Sequence, residues 1–151
     1  MCDKISKIVK KEFVLCNTKA KTKEDIISQM AELIASKTDL SSIKIKKAIF
    51  DREKYGSTGV GGGIAIPHGR IKGIDDIILA VATTQIPVDY ESVDKEGVNL
   101  FFMLLVPEEN NLVYLKLLSN ISVLCSDKNF INKIFSAKDE EDLTNIIKGT
   151  N

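Results

Sequence analysis

The chain has no surplus of either charge. Lys and Arg number 21, Asp and Glu number 21, and the formal net charge is zero. A general nucleic-acid binder needs a basic excess to neutralise phosphates, so the balance argues against that class. No apolar run is long enough to span a bilayer, and none argues for direct membrane insertion. The longest, Leu100 to Val106, has the length of a strand. The N-terminus lacks the long apolar segment of a signal peptide. Cysteine is scarce: Cys2, Cys16 and Cys125 are odd in number, widely spaced and form no CxxC pair. Reduced thiols in a cytoplasmic protein are the simple reading. Histidine is scarcer still, His68 standing alone, so neither a structural zinc site nor a metal or other cofactor is expected. No repeat, low-complexity stretch or long linker divides the 151 residues. One domain over residues 1–151 is expected, large enough to bury a core without disulfides or metals.

What is present alternates in type. Thr22 reads as a helix N-cap followed by Glu24 and Asp25. After it, Ile26, Ile27, Met30, Leu33 and Ile34 recur at helical spacing. A second helix is expected from Ser41 or Ser42 through Ile45, Ala48 and Ile49 towards Glu53. Ile77 to Thr83 and Val98 to Val106 read as buried strands, the second stopped by Pro107. Continuous apolar strands are usually covered on both faces. The C-terminal third reads as helices. Leu112, Leu115 and Leu118 form an apolar stripe, Asp127 caps a helix with Phe130 and Ile134, and Asp139 precedes one with Leu143 and Ile147. The sum is an α/β sandwich, a mixed sheet with helices on both faces.

The segment Asp51 to Arg70 holds three coinciding features. His68 sits between Pro67 and Gly69 at the end of an apparent strand, an arrangement that presents a side chain at a strand edge. A neutral imidazole is a competent nucleophile near pH 7 and can donate from its other nitrogen. Glycines 56, 59, 61, 62 and 63 leave backbone N–H groups unshielded for an anion, with Ser57 and Thr58 adding hydroxyl donors. Arg52 and Arg70 flank the segment, and guanidinium forks match phosphate oxygens. Each feature has an ordinary reading alone: a lone histidine packs, a glycine cluster is a mobile loop, a surface arginine is solvated. The glycines are no P-loop, since the spacing to a Lys-Ser/Thr pair is missing. Together they indicate an anion site with a candidate nucleophile. Cys125, near the end of an apolar helix, reads as structural. Asp75 and Asp76 read as exposed turn carboxylates, not as a metal pair.

The same segment closely resembles the active-site stretch of phosphotransferase-system enzyme IIA domains of the fructose, mannitol and nitrogen-regulatory type. The shared residues are Arg52-Glu53, Ser57-Thr58-Gly59, and Gly63-Ile-Ala-Ile-Pro-His68. The resemblance continues through the helix before Arg52, Pro87 to Asp94, Phe102 to Pro107, Leu115 to Leu118 and Asp139 to Ile147. It implies a five-stranded-type mixed sheet flanked by helices. It also implies that His68 accepts a phosphoryl group from the carrier HPr, or its nitrogen-branch paralogue, and passes it to an enzyme IIB cysteine. Arg52 would neutralise the phosphohistidine, and Gly63 to Pro67 would set the histidine's pose. Ser57, Thr58, Gly63, Arg70 and Tyr114 are the further candidates for holding the phosphoryl group. Arg70 lies at a position that varies in the family, and its role there is a physical argument only. The family usually carries a second histidine just before the Leu-Lys-Leu-Leu segment, and here that position is Tyr114. A tyrosine can donate a hydrogen bond but cannot become cationic.

Three functions fit these residues: a phosphoryl carrier feeding sugar transport, a regulatory module that signals its phosphorylation state to protein targets, and an anion-binding domain without covalent chemistry.

Overall fold

The central strand follows from its composition. Val98 to Pro107 is apolar at nearly every position, and such a run is stable only where both faces are covered. The computed structural model describes residues 3–109 and 112–150, so Cys2 lies outside the described residues. In chain order the elements are α1 (Ile5–Ile8), a 3-10 turn (Lys11–Phe13), β1 (Val14–Thr18), α2 (Lys23–Lys37) and α3 (Ser42–Glu53). Next come β2 (Gly59–Gly61), β3 (Ile64–Ala65), β4 (His68–Ile71), β5 (Ile78–Val88) and β6 (Val98–Pro107). The chain closes with α4 (Val113–Cys125), α5 (Lys128–Ser136) and α6 (Glu140–Lys148).

The sheet has six strands, in the order β1-β5-β6-β3-β2, with β4 also on β6. Strand β5 runs antiparallel to β6, and β1 runs parallel to β5. The other edge of β6 is shared. Parallel β3 pairs with Leu100 and Phe101, then parallel β4 pairs with Leu104 to Pro107. This mixed sheet has one strand more than the five-stranded type expected. Strands β2, β3 and β4 are too short for periodicity to reveal, and β1 exists through pairing with a strand more than sixty residues away.

Alternation along β6 divides the core. Phe101, Met103 and Leu105 pack with Ala80 and Ala82 against Ile26, Met30 and Ile34 of α2 and Ile45 and Ile49 of α3. Leu100, Phe102, Leu104 and Val106 pack on the opposite face against α1, α4, α5 and α6. Each fully buried Leu or Phe contributes about 1.5–3 kcal/mol, so two covered faces hold this strand firmly. The helix starts follow the expected capping residues. Thr22 accepts from the Asp25 amide at 3.0 Å, Asp127 from Asn129 at 2.9 Å and Asp139 from Asp142 at 2.8 Å. Ser41 caps α3. One helix is turned from its expected register. In α4 it is Leu117 and Ile121 that are buried, while Leu112 and Leu115 are exposed. Leu115 and Val123 add apolar residues to the outward side, so a spacing counted from Leu112 follows the exposed face.

Candidate active site

His68 is placed by a break in the sheet. Strand β3 ends at Ala65, Pro67 interrupts, and β4 resumes at His68 on the same edge of β6. The Ile66 amide donates to Thr58 O at 3.0 Å, and the Leu104 amide donates to Pro67 O at 2.9 Å. His68 thus opens a strand where the sequence suggested that it ends one, and it is half-buried where exposure at an edge was expected. Its Nδ1 lies 2.8 Å from Ile66 O. A carbonyl oxygen can only accept, so Nδ1 carries the proton and Nε2 carries the lone pair of the neutral ring. Burial holds the imidazole below its ordinary pKa, and the nearby Arg52 charge pushes the same way. The Ile66 hydrogen bond and Glu53 oppose them. The ring is therefore neutral near pH 7, with Nε2 available as a nucleophile.

A cavity of about 400 Å³ surrounds this ring, walled by Ala48, Arg52, His68, Gly69, Arg70 and Tyr114, among others. Gly69 lets α3 reach the sheet, because a Cβ there would sit 2.9 Å from Ala48 O. That close approach brings Arg52, in the last turn of α3, to the cavity, where its Nη1 donates to Gly56 O at 2.9 Å. Arg70 lies two residues beyond His68 on β4 and so projects from the same face of the strand. Its Nη1 donates to Glu108 O at 3.3 Å, and its guanidinium carbon lies 5.2 Å from the centre of the Tyr114 ring. Tyr114, in the first turn of α4, has its ring centre 6.3 Å from that of His68. A larger hollow of about 770 Å³ lies past the end of β4 among residues such as Ile71, Pro107 and Leu112, with no histidine or cysteine in its lining.

Ser57, Thr58 and Gly63 are not in the lining of the His68 cavity. Ser57 Oγ donates to Tyr90 O at 2.7 Å and accepts from the Gly59 amide at 3.0 Å. The Thr58 hydroxyl donates to Glu53, and its amide donates to the same carboxylate at 3.2 Å. The glycine run is a hairpin between β2 and β3, with Gly61, Gly62 and Gly63 at φ of +97°, +68° and +83°. Only glycine adopts three such successive conformations without strain. The Gly62 amide is already occupied by Asp94 Oδ2 at 3.0 Å. These glycines and hydroxyls frame the site in place of the open N–H cradle that residue types alone suggested.

Sequence reasoning assigned no role to the group that ties this frame together. Buried Glu53 pairs with Lys23 Nζ at 2.8 Å as well as with Thr58. Lys23 Nζ also lies 4.6 Å from the centre of the Tyr90 ring, and Tyr90 Oη is 3.4 Å from Thr58 Oγ1. Burial first, and then Glu53, push the Tyr90 phenol well above its usual range. The one available signal was that Glu53 directly follows Arg52. Its partner thirty residues earlier carries no mark in the sequence.

The remaining candidates are accounted for. Cys125 ends α4, and burial pushes its thiol up to about 12, so it is not a thiolate near neutrality. The Cys16 thiol is raised too, chiefly by burial. Asp75 and Asp76 are exposed. Among the described residues no group of three or more His, Cys, Asp or Glu is placed to hold a metal ion. What the geometry offers is one oriented nucleophile beside fixed cationic groups, the arrangement that transfer of a dianionic phosphoryl group requires.

Known proteins match the chain over nearly its whole length. The chain is 33% identical over 146 residues to a nitrogen regulatory protein of Klebsiella oxytoca, covering 95% of this chain and 89% of that one. It is 30% identical over 145 residues to the mannitol-specific phosphotransferase enzyme IIA component of Bacillus subtilis, covering 95% and 99%. The crystal structure of nitrogen regulatory protein IIA-Ntr from Neisseria meningitidis superimposes with a TM-score of 0.88 at 30% identity, covering 95% of this chain and 98% of that one. With residues 7–149 matching the phosphoenolpyruvate-dependent sugar phosphotransferase system EIIA 2 description, the chain belongs to that family of phosphotransferase components.

Proposed function

We propose that His68 is the phosphoryl carrier of this chain and that Arg52 is its charge clamp. In the first step the Nε2 lone pair attacks the phosphorus of a phosphohistidine on HPr or its nitrogen-branch paralogue. The donor's N–P bond breaks and its electron pair returns to the donor ring. In the second step a cysteine thiolate of an enzyme IIB domain attacks the same phosphorus, and the Nε2–P bond breaks with its pair returning to His68. The proton stays on Nδ1 throughout, donated in the hydrogen bond to Ile66 O. The single observation that carries this reading is that hydrogen bond, which directs the lone pair to Nε2. The two nucleophiles differ little in energy, so alignment and charge neutralisation supply the catalysis. The donor and acceptor are proposed from family membership. The zero net charge speaks against nucleic acid as a partner. Among the described residues no helix is long and apolar enough to cross a membrane, which fits a role in the cytoplasm beside those carriers.

A second reading has its own support. Tyr114 stands where the family resemblance implies a second histidine, and several relatives are named nitrogen regulatory proteins. In that reading the phosphorylation state of His68 is itself the signal, read by protein targets through the added charge.

The test is intact-mass analysis after incubation with phosphoenolpyruvate, enzyme I and HPr or its paralogue. An acid-labile gain of one phosphoryl group, absent in His68→Ala and slowed in Arg52→Ala, is the expected result. No gain with either donor would refute the carrier role. Once the group is loaded, its transfer to a IIB domain separates the two readings.

A further inference from the structure

The cavity contains a second guanidinium, and its setting differs from that of Arg52. Strand periodicity aims Arg70 to the same side as His68, while Gly69 between them faces α3. The Arg70 head meets the Glu108 carbonyl at 3.3 Å and the face of Tyr114 at 5.2 Å. A guanidinium lying over an aromatic face keeps its N–H edge directed sideways, in the plane where bidentate contacts to phosphate are made. The ring that supports it is also the ring beside the imidazole. A phosphoryl group carries nearly two negative charges near neutrality, and one arginine balances only one of them.

We infer that Arg70 and Tyr114 act as one unit, Arg70 as a second phosphoryl clamp opposite Arg52 and Tyr114 as the positioning residue that holds it. This inference rests on His68 being the phosphorylated residue. It gives the site a permanent second cation on the side of the cavity where the tyrosine itself cannot supply one.

The test uses the full chain and two readouts: the initial rate of phosphorylation by the protein donor, and the ³¹P titration of phosphohistidine formed with phosphoramidate. The second readout needs no protein donor, and His68→Ala run beside it reports on the carrier reading separately. Arg70→Met should slow phosphorylation about 10- to 100-fold and raise the midpoint at which the bound phosphoryl group ionises. Tyr114→Leu should move both readouts in the same direction. The double variant should be no more than about twofold slower than Arg70→Met, because the ring acts through the guanidinium. Arg70→Lys should recover part of the rate. Thermal melts by circular dichroism identify any variant that fails to fold, and Tyr114→Phe, which keeps the ring, then stands in for Tyr114→Leu and should match wild type in the ³¹P midpoint. A wild-type rate and an unmoved midpoint in Arg70→Met would overturn the clamp. Multiplying effects in the double variant would overturn the unit.

Discussion

The wall of the His68 cavity that comes from α3 is tied into the interior, whereas the wall from β4 and α4 stands in solvent. Arg52 is followed by buried Glu53, whose carboxylate holds Lys23 of α2 and both donors of Thr58. Arg70 is exposed and leans on a half-buried ring and one carbonyl. The difference teaches that two arginines facing one cavity can be fixed by opposite means. One is anchored by desolvated charge, which makes position and stability inseparable. The other is exposed and sits over an aromatic face, where a substitution is expected to cost little stability.

The largest expected effect breaks the interior wall. Glu53→Gln leaves the Lys23 ammonium without its principal partner in a nearly dry setting. Removing one member of such a pair costs about 3 kcal/mol or more. Urea unfolding should show the loss together with slower phosphorylation, and a loss below about 1 kcal/mol would mean that the pair does not anchor the wall.

Gly69→Ala comes next. Its Cβ would meet Ala48 O at 2.9 Å and the Ala48 carbonyl carbon at 3.0 Å, both backbone atoms that cannot swing aside. Forcing α3 away from β4 should cost about 1–3 kcal/mol and carry Arg52 away from His68. A variant that keeps wild-type stability and rate would show that the helix has room to spare.

The third effect is a pH dependence. The folded pKa of His68 is depressed, so the native state binds the ring proton less readily than the unfolded chain. The stability linked to this residue is complete above the unfolded value of about 6.5. It declines as pH falls from there through the folded value, below which the loss is complete. Phosphorylation should likewise persist below pH 6.5 and fail only when Nε2 is protonated. His68 is the only histidine, so one imidazole resonance followed by NMR reports the midpoint directly. A midpoint at or above 6.5 would contradict the buried, neutral ring.

The smallest effect sharpens the contrast. Arg70→Met should change unfolding free energy by no more than about 0.5 kcal/mol, as for other surface substitutions. A loss comparable to that of Glu53→Gln would make the two walls alike.

Parts of this arrangement are readable in the chain before it folds. The caps at Thr22, Asp127 and Asp139 act on amides two or three residues away, so local sequence reveals them. The apolar run of β6 announces a strand covered on both faces. Other parts depend on partners far along the chain. Strand β1 was missed because its pairing with β5 spans more than sixty residues. The expected α4 stripe through Leu112 and Leu115 lies on the outward side, because exposed apolar residues there, Leu115 and Val123 among them, compete with the buried face of Leu117 and Ile121. Ser57 and Thr58 read as free donors in the sequence, whereas in the fold their hydroxyls donate to Tyr90 O and Glu53.

By itself, the sequence determined the residue types at the site: one histidine between Pro67 and Gly69, an arginine at a helix end, a glycine-rich stretch, and a tyrosine where the family resemblance implies a second histidine. The strand that sends His68 and Arg70 to one side exists only through pairing with β6, so it belongs to the tertiary structure. Only the tertiary structure decided which histidine nitrogen keeps its lone pair, because that depends on the position of Ile66 O. It likewise decided that Glu53 would meet Lys23 and that Arg70 would meet Tyr114. Those contacts join segments about thirty and more than forty residues apart, and chain closure over such distances is governed by the packing of the whole core, which no local pattern encodes.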